Sequence, residues 1–150
     1  MNRVKDFIYR DILSVNENSD LRRVIITMKR HRVCAIPVVN QLGEYIGCIS
    51  EQDILNASVP QYMKSMYNTS FMADLDHIVG HLHDLLDEKA IKFTDSNYPT
   101  VTPSDSMSYA ADLLFRSKKT ALPVLEGKML IGLLTRIEIL TVSLNGNKIS

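Results

Sequence analysis

Residues 33–55 read VCAIPVVNQLGEYIGCISEQDIL, in which two apolar segments flank a glycine-containing turn and a polar Ser-Glu-Gln-Asp sequence follows. Near-continuous apolar segments are typical of strands that are buried on both faces. They predict strands over residues 33–39 and 45–49. A hydroxyl at Ser50 and a carboxylate at Asp53 then predict the start of a helix, because this spacing forms a capping box.

The same pattern returns later in the chain, which indicates an internal repeat. Residues 119–140 read KTALPVLEGKMLIGLLTRIEIL, in which Pro123 matches Pro37 and Gly132 matches Gly47 after the loss of one residue in the turn. This second copy predicts strands over residues 120–125 and 129–134 and a helix that starts at Thr135. A proline cannot donate a ladder hydrogen bond, so both prolines are expected at a sheet edge or a bend.

An amphipathic helix precedes the strands in each copy, because apolar residues recur at i, i+3, i+4 and i+7. These residues are Leu21, Val24, Ile25 and Met28 in the first copy and Met107, Ala110, Ala111 and Leu114 in the second. The expected N-caps are Ser19 or Asp20 for the first helix and Ser104 or Asp105 for the second. Extended segments over residues 12–15 and 100–102 lead into the two helices.

An insert over residues 56–96 separates the copies, and its apolar stripe predicts a connecting helix that packs on the repeats or on a partner. The stripe comprises Met72, Leu75, Ile78, Val79, Leu82, Leu85 and Leu86. We therefore divide the chain into a first repeat at residues 1–56, a helical insert at 57–90 and a second repeat at 91–150.

Three polar side chains of the insert, His77, His81 and Asp84, share one helical face. A His-x-x-x-His spacing is compatible with a metal site, but the glutamate of the metalloprotease motif is absent. This face lies opposite the apolar stripe, so we expect it to be a solvent-exposed polar face.

The composition sets limits on function. The chain has 150 residues with 17 acidic and 17 basic side chains, so no global field attracts nucleic acid or an anionic membrane, although a local basic patch is still allowed. No segment reaches the roughly 18 apolar residues of a membrane span, and a cytoplasmic location is expected.

Cys34 and Cys48 lie in apolar stretches and are expected to be buried thiols. We find no phosphate-binding glycine loop or nucleophile elbow, so catalysis is not expected.

The two quoted stretches resemble the CBS domain, and their tandem arrangement resembles a CBS pair, or Bateman module, in a stand-alone CBS domain-containing protein. Both follow the family pattern of a strand ending in Pro-Val, a turn, and an apolar-Gly-apolar-apolar-Ser/Thr-x-x-acid sequence. The resemblance implies an α/β (α+β) fold of two β-α-β-β-α repeats. These would pack about a pseudo-twofold axis, with the helical insert between them and two clefts where they meet.

The resemblance also implies a function. Such a module is regulatory and not an enzyme, requires no cofactor, and senses an adenine nucleotide (AMP, ADP or ATP) or S-adenosylmethionine. It implies a homodimer in the form of a flat disc, and an effector protein that the sequence does not identify. Nucleic acid and membranes are not expected partners.

The helix starts at Ser50 and Thr135 have two interpretations. In the first, each acid three residues later only completes a capping box, and Glu138 fits this rule well. In the second, the free N–H groups and positive dipole end of the helix attract an anion. The resemblance then implies that the hydroxyl binds phosphate and the acid binds ribose. Glu138 is longer than the aspartate usual in the family, so the Asp53 cleft is the better candidate.

The resemblance assigns residues from both repeats to each cleft. The first cleft comprises Ser50, Asp53, Thr94, Asn97, Lys119 and Thr120. The second comprises Ile8, Asp11, Arg32, Val33, Cys34, Thr135 and Glu138. The basic pairs His31-Arg32 and Lys118-Lys119 fall where the family contacts phosphate, although such pairs are often only solvated.

Two other functions stay open. One is a ligand-free dimerisation or scaffold module that acts through protein partners, in which the acids only cap helices. The other is a metal-responsive or redox-responsive module that uses the histidines or cysteines.

Overall fold

A computed structural model describes residues 2–59 and 75–145. Within them the strands are β1 (Val15–Asn16), β2 (Ala35–Val39), β3 (Tyr45–Ser50), β4 (Ala121–Glu126) and β5 (Met129–Thr135). The helices are α1 (Leu21–His31), α2 (Glu51–Ser58), α3 (Leu75–Leu85), α4 (Met107–Ser117) and α5 (Arg136–Thr141). Short 3-10 helices cover Val4–Asp6, Ala90–Phe93 and Val142–Asn145. The predicted mixed α/β class and the order of elements in each repeat are confirmed.

The strands form two small sheets with the same internal arrangement. β2 pairs antiparallel with β3 and parallel with β1, and β4 pairs antiparallel with β5. Val101 takes the place of β1 in the second repeat through a parallel bridge to Val124. β2 begins later than predicted, at Ala35, because the N–H of Val33 still donates to the Met28 carbonyl at the end of α1 (3.1 Å).

Pro37 and Pro123 each lie one residue before parallel pairing begins. In the second repeat the Val101 N–H donates to the Pro123 carbonyl (3.0 Å), and the Val101 carbonyl accepts from the Leu125 N–H (2.9 Å). The nitrogen of a strand residue faces the same side as its own carbonyl. The proline nitrogen therefore lies just before the parallel pairing and costs no ladder bond. The predicted edge position is wrong for Pro37, because β2 is the central strand of the β1-β2-β3 sheet.

Side-chain caps define the starts of α1 and α4. Asp20 caps α1, as predicted, by accepting from the N–H three residues later (2.8 Å). Ser106 caps α4, so the predicted Ser104 or Asp105 is wrong. The physical reason is that the Asp105 carboxylate accepts from the Thr102 N–H (2.8 Å) and closes the turn before the helix.

Each repeat has its own core, and each core takes in a segment that precedes the other repeat. Ala90 and Phe93 are buried in the first core, with β1–β3, α1 and α2. Val4 is buried in the second core, and Phe7 and Ile8 pack against it.

Two equivalent pairs of backbone hydrogen bonds hold these two segments against the repeats into which they pack. Cys48 and Asp95 exchange N–H···O bonds of 3.2 and 2.8 Å, and Tyr9 and Leu133 exchange bonds of 2.9 and 3.0 Å. A glycine lies immediately before the strand residue in both cases, at Gly47 and Gly132. The crossing segments thus add a strand-like partner to the outer side of β3 and of β5.

The predicted helix within the insert is confirmed as α3. Leu82 and Leu85 pack against the first core, and the backbone after α3 is joined to α1 because the Arg22 N–H donates to the Leu86 carbonyl (3.0 Å). Val79 is 53% exposed, so this member of the predicted stripe does not pack on the repeats. Met72 lies outside the described residues.

The close approach at Gly47 yields a stability prediction. A Cβ there would lie 2.5 Å from Thr94 Cγ2 and 2.6 Å from the Asp95 carbonyl oxygen, on a backbone with φ +156°. We expect Gly47→Ala to lower the free energy of unfolding by roughly 2–3 kcal/mol, because the crossing backbone must move. Chemical denaturation measures this change.

Gly80→Ala is the matched control. Gly80 lies inside α3, and a Cβ there would meet nothing within 4 Å. The same substitution should therefore stabilise the protein by up to about 1 kcal/mol. Equal effects at the two glycines would contradict the proposed importance of the crossing contact.

Candidate functional site

The two helix starts contain the predicted capping boxes. Asp53 Oδ2 accepts from both the N–H and the hydroxyl of Ser50, each at 2.9 Å, and Ser50 Oγ accepts from the Asp53 N–H (3.1 Å). Glu138 Oε1 accepts from the N–H and the hydroxyl of Thr135, each at 2.6 Å. The local bonds use one oxygen of each carboxylate. Asp53 Oδ1 accepts no hydrogen bond from the described residues.

A cavity of about 330 Å³ lies at the start of α2, where the two repeats meet. It is lined by Cys34, Ala35, Ser50, Glu51, Gln52, Tyr98, Ser117, Lys118, Lys119 and Thr120. The first repeat contributes the starts of β2 and α2, and the second contributes the end of α4 and the residues before β4. The volume is at the lower end of the range for small-molecule sites. We call this space the first cavity.

Two lysines supply the positive charge of the first cavity. Lys119 Nζ lies 4.9 Å from the centroid of the Tyr98 ring, a cation–π distance. Tyr98 is only 4% exposed, and its hydroxyl donates to the Ala121 carbonyl (2.8 Å). Burial raises the pKa of Tyr98 above its ordinary value, so the ring stays neutral beneath the ammonium. The second repeat therefore presents Lys119 on a rigid support.

Lys118 and its counterpart Arg32 have an uncommon backbone conformation. They are the C-caps of α4 and α1 and lie in the left-handed region, with φ of 59° and 57°. Glycine or asparagine usually fills such a position, because a Cβ is unfavourable there. Unfavourable backbone conformations are concentrated at functional sites. A cation in this position in both repeats agrees with a role in the clefts beyond helix termination.

The structure brings together part of the first predicted cleft. Ser50, Lys119 and Thr120 line the first cavity, and Asp53 is bonded to Ser50 beside it. Thr94 lies deeper, where its hydroxyl donates to the Ala90 carbonyl (2.9 Å). Asn97 is exposed, and its N–H donates to Asp95 Oδ1 (2.9 Å). Neither Thr94 nor Asn97 is among the residues that line the first cavity.

The second predicted cleft is more dispersed. Thr135 and Glu138 form their box next to Tyr9, whose hydroxyl donates to Asp11 Oδ2 (3.2 Å). The negative charge of Asp11, and to a smaller extent that of Glu138, raises the pKa of Tyr9. Ile8 lies against Gly132.

The contacts of the other three residues assigned to that cleft involve the first repeat and the first cavity. Arg32 is the exposed C-cap of α1, and Val33 packs on the first core and lines a groove on the helical side of the repeat. Cys34 lines the first cavity, on the same side as Ser50.

Sequence reasoning missed the role of Tyr98. This residue has no motif around it, and the only signal is an aromatic residue just before the extended segment at residues 100–102. Ser117, Glu51 and Gln52 were missed for a different reason, since each is a neighbour of a residue that was selected.

The sequence profile of the CBS domain matches the chain twice, at residues 4–60 and 89–145. The chain belongs to the CBS domain family. The two matched ranges correspond to the two repeats, so the predicted tandem CBS pair is confirmed. CBS pairs are regulatory modules.

Known proteins agree with this membership. The uncharacterized protein MJ1426 of Methanocaldococcus jannaschii is 27% identical over 153 residues, which cover 89% of this chain and 86% of that protein. CBSX2 from Arabidopsis thaliana superposes with a TM-score of 0.79 at 18% identity, over 99% of both chains. A structure of CBSX2 in complex with AMP gives 0.74 at 18% identity, over 99% of this chain and 100% of that one.

A third solved structure is MJ1225 from Methanocaldococcus jannaschii, a putative archaeal homolog of g-AMPK. Its TM-score is 0.77 at 19% identity, and the match covers 95% of this chain but only 48% of that one. At these identities the structural similarity establishes the fold of the CBS pair.

The two cysteines of this CBS pair differ. Cys48 is buried as predicted, but Cys34 is exposed, so that prediction was wrong. Cys34 precedes β2 and opens onto the first cavity instead of into the core. Burial raises the pKa of the Cys48 thiol to about 12, and the Tyr45 hydroxyl donates to its sulfur (3.5 Å).

The predicted solvent-exposed face of α3 is confirmed for His77 and Asp84, which are exposed, but His81 is only partly exposed. His81 Nδ1 lies 2.8 Å from the Ser58 carbonyl oxygen, which joins α3 to the end of α2. Across residues 2–59 and 75–145, no group of three His, Cys, Asp or Glu side chains is placed to hold a metal ion. In the same ranges, no helix has both the length and the apolar character needed to cross a membrane.

These environments predict different thiol reactivity. Alkylation requires the thiolate, so at pH 8 iodoacetamide should modify the exposed Cys34 and leave Cys48 unmodified in folded protein. Because burial raises the Cys48 pKa from 9.0 to about 12, the unfolded state loses this proton first. The contribution of Cys48 to stability should then be complete below pH 9 and decline between pH 9 and 12.

Mass spectrometry of the alkylated peptides measures the difference. Cys34→Ser should abolish native-state labelling, and denaturant should expose Cys48 in the same variant. Rapid native labelling of Cys48 would contradict the buried environment.

Proposed function

We propose that this CBS pair is a regulatory module that binds an adenine nucleotide or another adenosyl ligand in the first cavity. The observation that supports this most directly is the cavity between the repeats, with two lysines on one wall and a helix start on the other. The AMP complex of CBSX2 and the likeness to the putative g-AMPK homolog support the ligand class. AMP, ADP, ATP and S-adenosylmethionine are the candidates.

We assign different side chains of the first cavity to different parts of the ligand. Asp53 Oδ1 is available to accept from a ribose hydroxyl. The Ser50 hydroxyl and the positive dipole end of α2 suit a phosphate oxygen, since a helix N-terminus stabilises negative charge. Lys118 and Lys119 complement the remaining phosphate charge from the opposite wall. The Cys34 carbonyl already accepts from the Glu51 N–H (2.9 Å), so the backbone N–H of Cys34 is the group that we propose for the base.

A second, weaker site is proposed around Thr135 and Glu138, with Ile8 and Asp11, and we propose that Arg32 and Val33 of the first repeat complete it. Two features weaken it. Glu138 is folded back onto Thr135 by two bonds of 2.6 Å. α5 has six residues against eight in α2, and so presents a shorter row of aligned peptide dipoles.

Regulation requires that the ligand prefer one of two states. A ligand in the first cavity touches both repeats and would favour the arrangement in which they are close. We further propose a cytoplasmic homodimer that passes this change to a separate effector protein. The repeat boundaries at residues 1–56, 57–90 and 91–150 are part of the same proposal.

One observation favours the alternative of a ligand-free dimerisation or scaffold module. Both acids already have a structural role, because Asp53 and Glu138 complete capping boxes. In that case the acids stabilise helix starts and the module acts through protein partners alone.

Asp53→Ala distinguishes the two functions. A ligand at about 100 times its dissociation constant adds roughly 2.7 kcal/mol of stability, which raises the melting temperature by several degrees. We expect such a shift with one member of a panel of AMP, ADP, ATP and S-adenosylmethionine. Asp53→Ala should abolish the shift and cost roughly 0.5–2 kcal/mol for the lost cap.

Asp20→Ala is the matched control, because it removes an N-cap of the same type from α1. It should cost a similar amount of stability and retain the ligand shift. A full shift in Asp53→Ala would contradict the ribose role. No shift across the panel with folded wild-type protein would favour the scaffold function.

Lys118→Gly tests the cation at the left-handed C-cap. Glycine relieves the unfavourable backbone, so stability should be unchanged or raised by up to about 1 kcal/mol. Loss of the cation should weaken AMP binding in the first cavity about tenfold. Protection of Cys34 from iodoacetamide by AMP reports occupancy of this cavity.

Arg32→Gly makes the same backbone change at the equivalent position in the first repeat. It should alter stability equally and leave Cys34 protection unchanged. If Lys118→Gly stabilises the protein but keeps wild-type protection, Lys118 acts only in helix termination.

A further inference from the structure

One side of helix α1 is strongly basic. Leu21, Val24 and Met28 turn the opposite side into the first core. At 3.6 residues per turn, five exposed side chains fall within an arc of about 120° and span about 12 Å along the helix axis. They are Arg22, Arg23, Ile26, Lys29 and Arg30. We call this surface the basic face.

Little of the charge on the basic face is neutralised within the protein. Arg22 Nη2 lies 3.7 Å from Asp87 Oδ1, but the Asp87 side chain is 90% exposed, so the pair is weak. Within residues 2–59 and 75–145, Arg23, Lys29 and Arg30 form no ion pair. Three cations are therefore available to a partner.

Two further acidic side chains border the basic face. Asp20 caps the helix by accepting from the Arg23 N–H (2.8 Å), and Glu51 lines a groove together with Lys29. Neither acid forms an ion pair with the basic face in the described part of the chain. The centre of the face, at Ile26 and Arg30, thus keeps its positive charge.

Helix stability does not explain these charges. Cations near the C-terminus of a helix complement its dipole, whereas cations in the first turn oppose it. Arg22 and Arg23 occupy the second and third positions of α1, and its first turn contains no acid. A pattern that works against a local rule is expected where function requires it.

Helix α4 of the second repeat provides an internal control. It has 11 residues, as α1 does, and the repeat places Ser108, Tyr109, Asp112, Phe115 and Arg116 at the positions of the basic face. Arg116 Nε donates to Asp112 Oδ2 (2.8 Å), so this surface carries no net charge. The same helix therefore forms without a basic face, which belongs to the first repeat alone.

We propose that the basic face binds an acidic segment of the effector protein, in which carboxylates surround one apolar side chain. This inference rests on the separate effector proposed above and gives the chemistry of its contact. It is independent of the nucleotide, because none of the five side chains lines the first cavity.

The composition of the basic face matches such a partner. Three of its four cations are arginines, whose planar guanidinium groups bind carboxylates through paired hydrogen bonds. Ile26 lies near the middle of the arc and is 50% exposed. Arginine is enriched in protein interfaces, and apolar contacts form their centre. An apolar side chain of the partner can pack on Ile26 while carboxylates reach the arginines around it.

Nucleic acid and an anionic membrane match the basic face less well. The face has no aromatic side chain on which a base could stack, and Ile26 offers nothing to a phosphate backbone. A helix that binds a bilayer inserts a broad apolar surface, but the apolar side of α1 is buried in the core. The observations therefore favour a protein segment.

Fluorescence anisotropy with defined peptides tests the proposal. The probe is a labelled helical peptide in which glutamates lie three and four residues to either side of one leucine, on the same helical face. One control peptide has glutamine in place of each glutamate, and another has serine in place of the leucine. We expect wild-type protein to bind the probe, to bind the serine peptide more weakly and not to bind the glutamine peptide.

Arg23→Gln combined with Arg30→Gln should raise the Kd of the probe at least about tenfold, because two charge-assisted contacts are lost. Lys5→Gln combined with Lys128→Gln is the matched control, since it removes the same net charge from two exposed lysines elsewhere. The control should stay within about twofold of the wild-type Kd. Thermal unfolding verifies that each variant is folded. Equal weakening by the two pairs would overturn the proposal.

Ile26→Ser tests the apolar contact. It should weaken probe binding about threefold and remove the difference between the leucine and serine peptides. A preference for leucine that is as large in Ile26→Ser as in the wild type would overturn the central contact.

The same assay separates other partners. Tighter binding of a single-stranded oligonucleotide or of phosphatidylserine vesicles than of the probe, lost in the double arginine variant, would replace the acidic segment by nucleic acid or by a membrane. Failure of folded wild-type protein to bind the probe would overturn the docking surface. The ligand-induced melting shift is a separate result, because these variants leave the first cavity intact.

Discussion

The crossing of the chain between repeats is the constraint on which the rest of the structure depends. The segment around Asp95 pairs with β3 of the first repeat, and the segment around Tyr9 pairs with β5 of the second. Backbone approaches this close leave no room for a Cβ at Gly47. Neither repeat completes its core alone, because Phe93 fills the first and Val4 the second. The two repeats therefore fold as one module.

The candidate site depends on this crossing of segments between the two repeats. With the repeats held together, the start of α2 faces the end of α4, and residues distant in sequence enclose the first cavity. Glu51, Lys118 and Lys119 line this cavity and also the helical grooves on the outer side. The same three side chains therefore connect the cavity with the helical side of the repeats.

Strand and helix order could be predicted from the sequence because apolar periodicity and capping patterns are local. The capping boxes at Ser50 and Thr135 were predicted in full, since all their partners lie within three residues. The caps of the longer helices were predicted less well, and Asp105 illustrates the reason. Its carboxylate is equally suited to a turn and to a helix start, and the choice depended on a backbone N–H at Thr102.

The sequence by itself determined the two repeats, their elements and the polar residues at the two helix starts. Each of these depends on the spacing of residues that are close together in the sequence. Only the tertiary structure decided which of these residues meet. It placed Cys34 in the first cavity, Tyr98 beneath Lys119 and His81 against the end of α2. These contacts join parts of the chain that are far apart in sequence, and their geometry depends on how the two cores pack. No local pattern carries that information.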